Sequence, residues 1–278
     1  MTERCKRGLP LVEVFSSVQG EGAWVGRRQI FVRCAGCNLA CAYCDTRHEM
    51  PSEILTEDGR ALANPVGPEA LLTLVDAFLK RLPGAHHSLS LTGGEPLLHA
   101  GILREILPLL RGRLPVYLET NGTLPEALSQ VLPHLDHVAL DIKLSTVTGE
   151  PTRWETHAEF LRLADPVGGC VKLVVAPELA EEELARAAAL ALGGRLRLGS
   201  GFGCRFLFFL FCCGFTLLAA LLALLALLHG RFLALDGLFV EDGVDQRVLV
   251  ERFGFTYVQF FCDSHKVFLT LVAQFDNV

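Results

Sequence analysis

Residues 37–44 read Cys-Asn-Leu-Ala-Cys-Ala-Tyr-Cys, a Cys-x3-Cys-x2-Cys run. Three thiolates at that spacing on a tight loop can point at one centre, and thiolate is the soft ligand that iron–sulfur clusters select. Three ligands on a four-iron cubane leave one iron open to an exogenous ligand. A structural zinc site with Cys34 as fourth ligand is the alternative, although zinc sites favour paired Cys-x2-Cys ligands. Cys5, Cys170, Cys204, Cys212, Cys213 and Cys262 are scattered or in apolar surroundings and read as buried small hydrophobes.

The elements that must position this loop follow from patterning. From residue 28 to about 192, short β-rich runs alternate with amphipathic ones, which predicts βα units around a parallel sheet. Strands are expected at Ile30–Arg33, Ser88–Thr92, Val116–Glu119, His137–Ile142 and Val171–Val175. Helices are expected at Pro68–Arg81, Ile102–Leu110, Arg153–Ala164 and Leu179–Leu192, where apolar residues recur every three or four positions. Asp45–Gly67, polar and containing Pro51 and Pro65, is expected to be irregular. In such folds the loops leaving the C-terminal strand ends converge on one face. The cysteine run, Gly93-Gly94-Glu95-Pro96, Thr120-Asn121-Gly122 and Lys143 all fall there.

The net charge of −6 and pI near 5.9 argue against a broad nucleic-acid surface and for a small-molecule substrate. The N-terminal MTERCKRGLPLVEVF has too short an apolar run for a signal peptide, so a cytoplasmic chain is expected. In a reducing compartment the cysteines need a role other than disulfides. Composition changes near residue 199: Phe occurs four times in residues 1–201 and fourteen times in 202–278. Residues 206–228 carry no formal charge, which meets the length for a membrane span but equally suits a buried strand and helix. The division expected is therefore a catalytic core over 1–198 and an atypical apolar segment over 199–278, either a frame-altered barrel end or a membrane-like helix.

Taken together, CNLACAYCDT and TGGEP at Thr92–Pro96 resemble the radical S-adenosylmethionine (SAM) superfamily. VFSSVQGEGAWVGRRQIFVRCAGC at residues 14–37, LETNGT at Leu118–Thr123 and LDIK at Leu140–Lys143 resemble, within it, the 7-carboxy-7-deazaguanine synthase family of queuosine precursor synthesis. The resemblance covers about residues 11–178. It implies a partial (β/α) barrel with the active site at the C-terminal strand ends. It implies a [4Fe–4S] cluster on Cys37, Cys41 and Cys44, with Tyr43 and Asp45 beside SAM, Gly93, Gly94 and Glu95 at its amino group, and Asp141 and Lys143 on its adenosyl side. For the substrate, 6-carboxy-5,6,7,8-tetrahydropterin, it implies Val18, Gln19, Gly20, Arg33 and Thr92, and for Mg²⁺ it implies Thr46. The chemistry implied is SAM cleavage to a 5′-deoxyadenosyl radical, hydrogen abstraction from the substrate, ring contraction and loss of ammonia. A flavodoxin-type electron donor and a homodimer are implied as well.

Other readings of the same residues stay open. Gln19-Gly20-Glu21-Gly22 reads alone as a turn, Arg33 as a solvated strand end and Asp141 as a helix N-cap. A glycyl-radical activase shares the cysteine spacing, and a zinc-binding or membrane-anchored protein without catalysis is a different class. The family's closing segment has only a partial counterpart in Cys262-Asp263-Ser264-His265-Lys266, and 199–257 offers no recognisable family strand.

Overall fold

The computed structural model describes residues 8–174, 179–191, 249–253, 256–263 and 266–275. In chain order the strands are β1 (Leu11–Val18), β2 (Arg28–Cys34), β3 (Glu53–Leu55), β4 (Ala61–Ala63), β5 (Ser88–Gly93), β6 (Val116–Thr120), β7 (His137–Ile142), β8 (Gly169–Leu173), β9 (Leu249–Phe253), β10 (Thr256–Asp263) and β11 (Lys266–Phe275). The helices are α1 (Pro68–Arg81), α2 (Ala100–Arg111), α3 (Pro125–Val131), α4 (Ser145–Thr148), α5 (Trp154–Ala164) and α6 (Glu181–Ala191). Nine strands form one sheet in the order β1-β2-β5-β6-β7-β8-β11-β10-β9. Its central five, β2 to β8, are parallel, while β1 and the β9–β11 meander add antiparallel flanks. The fold is α/β with a mostly parallel sheet, as patterning predicts.

Period-two alternation gives the central strands two unlike faces. Ile30, Val32, Leu89, Leu91, Val116, Leu118, Val138, Leu140, Val171 and Leu173 all enter the hydrophobic core. That core is completed by helix stripes such as Leu71, Leu74, Val75 and Phe78 of α1, spaced for one helical face. α1 also begins with Pro68, carries Glu69 in its first turn and ends on Lys80 and Arg81, each suited to its end of the helix dipole. The intervening strand positions include Gln29, Ser88, Ser90, Thr92, Glu119, Asp141 and Lys172, together with Phe31, Tyr117 and Cys170. Gln29, Ser88, Ser90, Thr92 and Asp141 are buried all the same.

Several expectations change. β1 is an additional strand, and β8 begins two residues before the predicted Val171, at a glycine that reads as turn chemistry. Glu53–Ala63 forms the β3–β4 hairpin where an irregular segment is expected, because backbone pairing and a turn at Gly59 (φ +79°) hold it and only Ile54 is buried. Asp141 lies within β7 and caps no helix; Leu144 occupies the N-cap of α4. Among the described residues no helix is long and apolar enough to cross a membrane, and residues 206–228 lie outside them, as does the proposed 198/199 division.

Candidate functional site

The cysteine loop leaves the end of β2 and is held from four sides. Ala35 N–H donates to Pro10 O (2.9 Å), Gly36 N–H to His48 O (2.7 Å) and Ala42 N–H to Thr148 O at the end of α4 (2.8 Å). Asn38, inside the motif, donates through Nδ2 to Thr123 Oγ1 (2.8 Å) and accepts from Asn121 Nδ2 (2.9 Å). Cys37, Cys41 and Cys44 are unbridged thiols. Burial raises the Cys37 and Cys41 thiols, Cys44 adds to both and Cys37 to Cys41, and Lys143 opposes the rise. Cys34 instead joins the hydrophobic core, where burial drives its thiol far above the usual range. The fourth ligand of the zinc alternative is thus turned away. Among the described residues no three His, Cys, Asp or Glu side chains close on one ion-sized point. A cubane takes each thiolate at a different corner and tolerates a wider spread.

The loop after β5 packs backbone to backbone against the cysteine loop. Gly93 has φ +127° and a Cβ there would strike the Cys34 carbonyl; a Cβ on Gly94 would strike the Gly36 carbonyl. Glu95 N–H donates to Gly36 O (2.8 Å). The Glu95 carboxylate turns inward, accepting from Leu97 N–H (2.9 Å), Thr120 Oγ1 (2.9 and 3.0 Å) and Asn121 N–H (2.8 Å). Burial raises its pKa to about 7, with those donors opposing. Glu95 therefore joins the β5 loop to the β6 loop, so its side chain is committed within the protein.

Across the sheet, Lys143 Nζ donates to Tyr43 OH (2.8 Å) and Asp141 Oδ2 (2.8 Å), and lies 5.2 Å from the Tyr43 ring centroid. Burial works to raise the Asp141 carboxyl, but Lys143 and Lys172 outweigh it and hold it below the usual range. Asp141 Oδ1 is buried and, among the described residues, meets no hydrogen-bond donor. A buried acceptor left so is costly unless a ligand donor meets it, and a ribose hydroxyl has that chemistry.

The β1–β2 loop approaches from the opposite, N-terminal end of the parallel strands. Gln19 Nε2 donates to Gln29 Oε1 (2.9 Å) and Glu119 Oε1 (2.8 Å). Ser90 Oγ and Thr92 Oγ1 donate to the same Glu119 carboxylate at 2.8 and 3.1 Å. Gln19, Thr92 and Glu119 thus meet on the polar face. Gly20 is half-buried beside them in sequence, whereas Val18 is 49% exposed. Arg33 pairs with Thr92 in register, yet its Nε donates to Glu13 Oε1 (2.8 Å); among the described residues no other acceptor meets the guanidinium. Arg33, Thr46 and Asp45 line one cavity of about 460 Å³ with Val12, Glu13 and Arg47.

Glu119, Glu21 and Lys172 are prominent here and were not singled out by spacing. For Glu119 and Lys172 the signal is polarity between the apolar positions of β6 and β8, legible only once the two faces are distinguished; Glu21, on the β1–β2 loop, carries no such periodicity.

The family model described as "Radical SAM superfamily" matches residues 31–190. A protein of Geobacter sulfurreducens named "7-carboxy-7-deazaguanine synthase" is 44% identical over 195 residues, covering 68% of this chain and 78% of its own length. One of the same name from Methanothermobacter thermautotrophicus is 44% identical over 136 residues, 49% of this chain and 50% of its own length. A solved structure, "Crystal structure of QueE from Escherichia coli", is 27% identical and covers 48% of this chain and 71% of that one, with a TM-score of 0.33, too low to bear on the fold.

Proposed function

Because the chain belongs to the radical SAM superfamily and, within it, to the 7-carboxy-7-deazaguanine synthases, we propose that it performs the SAM- and Mg²⁺-dependent ring contraction of 6-carboxy-5,6,7,8-tetrahydropterin to 7-carboxy-7-deazaguanine with loss of ammonia. When bound, the cluster and SAM supply the radical chemistry, which is the cofactors' own. The protein's work is to bind, orient and shield.

Cys37, Cys41 and Cys44 would hold the cluster, on a loop whose register is set by Asn38 and Ala42. Tyr43 and Asp45 flank it in sequence, and Gly93 and Gly94 allow the β5 loop backbone to lie against it. Asp141, through its unpartnered Oδ1, and Lys143 suit the hydroxyls of a nucleoside. Gln19 and Glu119 supply amide and carboxylate groups for the amine and ring N–H edge of a pterin, beside Gly20. Arg33 would take the substrate carboxylate, since a guanidinium fork with one nitrogen on Glu13 retains donors for a second partner. Thr46 would ligate Mg²⁺ in the same cavity, where oxygen donors of Asp45 and Glu13 also lie. A flavodoxin-type donor, a homodimer and a cytoplasmic enzyme without direct nucleic-acid contact complete the reading.

The observation that carries it is the buried polar face of the parallel sheet, with Gln19, Thr92, Glu119 and Asp141 all on it. The test is anaerobic reconstitution with iron and sulfide, reduction, and incubation with SAM, Mg²⁺ and the carboxytetrahydropterin. Formation of the deazapurine by mass is expected. Deoxyadenosine without that product would assign the fold another substrate.

A further inference from the structure

Lys172 stands on β8 where Cα register sets it opposite Asp141 on β7. Its ammonium donates to Glu21 Oε1 at 2.6 Å and lies 3.2 Å from Asp141 Oδ2. Burial works to lower the Lys172 pKa, but Glu21 and Asp141 outweigh it and hold the group charged. The two carboxylates belong to different walls of the polar face. Glu21 sits on the β1–β2 loop with Gln19, and Asp141 sits with Lys143 and Tyr43.

That loop is pinned independently at its far side. The Trp24 ring lies 5.0 Å from Tyr117 and 4.8 Å from His137, which stack on each other at 5.1 Å. Gly22 has φ +73° and a Cβ there would come 2.7 Å from the Tyr117 hydroxyl. Between Gln19 on Glu119 and Trp24 on Tyr117, the Glu21–Lys172 pair is the charged tie from the loop to β8, where the Ala23 backbone also hydrogen-bonds the Cys170 thiol.

We propose that Lys172 is a positioning residue that sets two subsites at once, drawing Glu21 and the β1–β2 loop against the pterin position while fixing Asp141 for the nucleoside of SAM. This rests on the substrate reading above for the pterin half and only on family membership for the SAM half. A charge-assisted hydrogen bond in a largely buried setting has no solvent substitute, so its loss frees Glu21 and leaves Asp141 Oδ2 held by Lys143 alone.

The test uses cluster-loaded protein, with SAM affinity measured by equilibrium dialysis in the absence of substrate and KM and kcat measured for the pterin. Lys172→Met is expected to weaken SAM binding and raise the pterin KM, each more than threefold, with kcat changed less than KM. Glu21→Gln should raise KM alone and leave SAM affinity within threefold of wild type. Lys172→Arg, which keeps the charge, should hold both constants within threefold. If Lys172→Met leaves either constant within threefold, or if Lys172→Arg fails as Lys172→Met does, the proposal is overturned. Should Lys172→Met not fold, the Glu21→Gln/Lys172→Met pair removes both partners, and the same threefold criterion on the two constants applies. Wild-type protein that binds SAM yet makes no deazapurine would defeat the substrate reading, and the SAM arm would then decide the role of Lys172 alone.

Discussion

Glu95 illustrates how a single side chain can serve the site without facing it. Its carboxylate is fully buried, meets N–H and O–H donors from Leu97, Thr120 and Asn121, and titrates near 7. The folded-state pKa lies above the ordinary value of 4.5, so the folded chain keeps its proton while the unfolded chain loses it. Glu95 therefore contributes stability that is fully present below about pH 4.5, declines as pH rises, and is flat above about 7. Glu95→Gln should remove that slope, seen as a smaller difference in Tm between pH 5 and pH 7.5. Because an amide nitrogen would then face one of the donors, it should also cost about 1–3 kcal/mol by denaturant unfolding. An unchanged slope would exclude Glu95 as its source. The glycines before it act through shape: Gly94→Ala should reduce iron bound per chain after reconstitution, because the Gly36 carbonyl occupies the space of the new methyl.

Among the elements, the shortest helix has the most specific anchor. α4 has Leu144 at its N-cap with no side-chain cap, and its first donors are met by Thr152 Oγ1 (2.7 Å to Ser145 N–H) and from α6. Glu183 accepts from Ser145 N–H and Oγ (both 2.8 Å), from Thr146 N–H (3.1 Å) and Oγ1 (2.5 Å), and from Thr152 Oγ1 (2.5 Å). Burial works to raise its carboxyl, but these donors outweigh it and bring the pKa down to about 2. Here the sign reverses: the contribution is present above about pH 4.5 and is lost as pH falls toward 2. Glu183→Ala should cost about 1 kcal/mol, the usual loss of a helix cap. It should also speed amide exchange at 145–150, whose Thr148 carbonyl supports Ala42 in the cysteine loop. Unaltered exchange in that segment would mean that α4 stands without α6.

At the scale of the molecule, the sheet separates two environments: an apolar face closed by helices, and a polar face that is buried before any ligand arrives. An interior with an unsatisfied Asp141 Oδ1 should gain from a ligand that completes it. SAM at about 100 times its Kd should stabilise the cluster-loaded chain by about 2.7 kcal/mol, read as a rise in Tm. The Cys37→Ala/Cys41→Ala/Cys44→Ala protein should show no such rise; an equal rise would place SAM binding away from the cysteine loop. What the amino-acid sequence determined by itself is the local part. The cysteine spacing, the glycines before Glu95 and the apolar periodicities of β2, β5, β6, β7 and α1 are properties of adjacent residues, and they were legible with small errors of boundary. The β3–β4 hairpin was not, because backbone bonds hold it and apolar patterning does not mark it. Tertiary structure alone decided which distant groups meet. Cys34 turned into the core although it lies three residues from Cys37, and the β1–β2 loop came up beneath the sheet so that Gln19 reaches Glu119 and Glu21 reaches Lys172. The physical reason is that strand alternation assigns each residue a face, but only sheet order and register bring the faces of separate strands together.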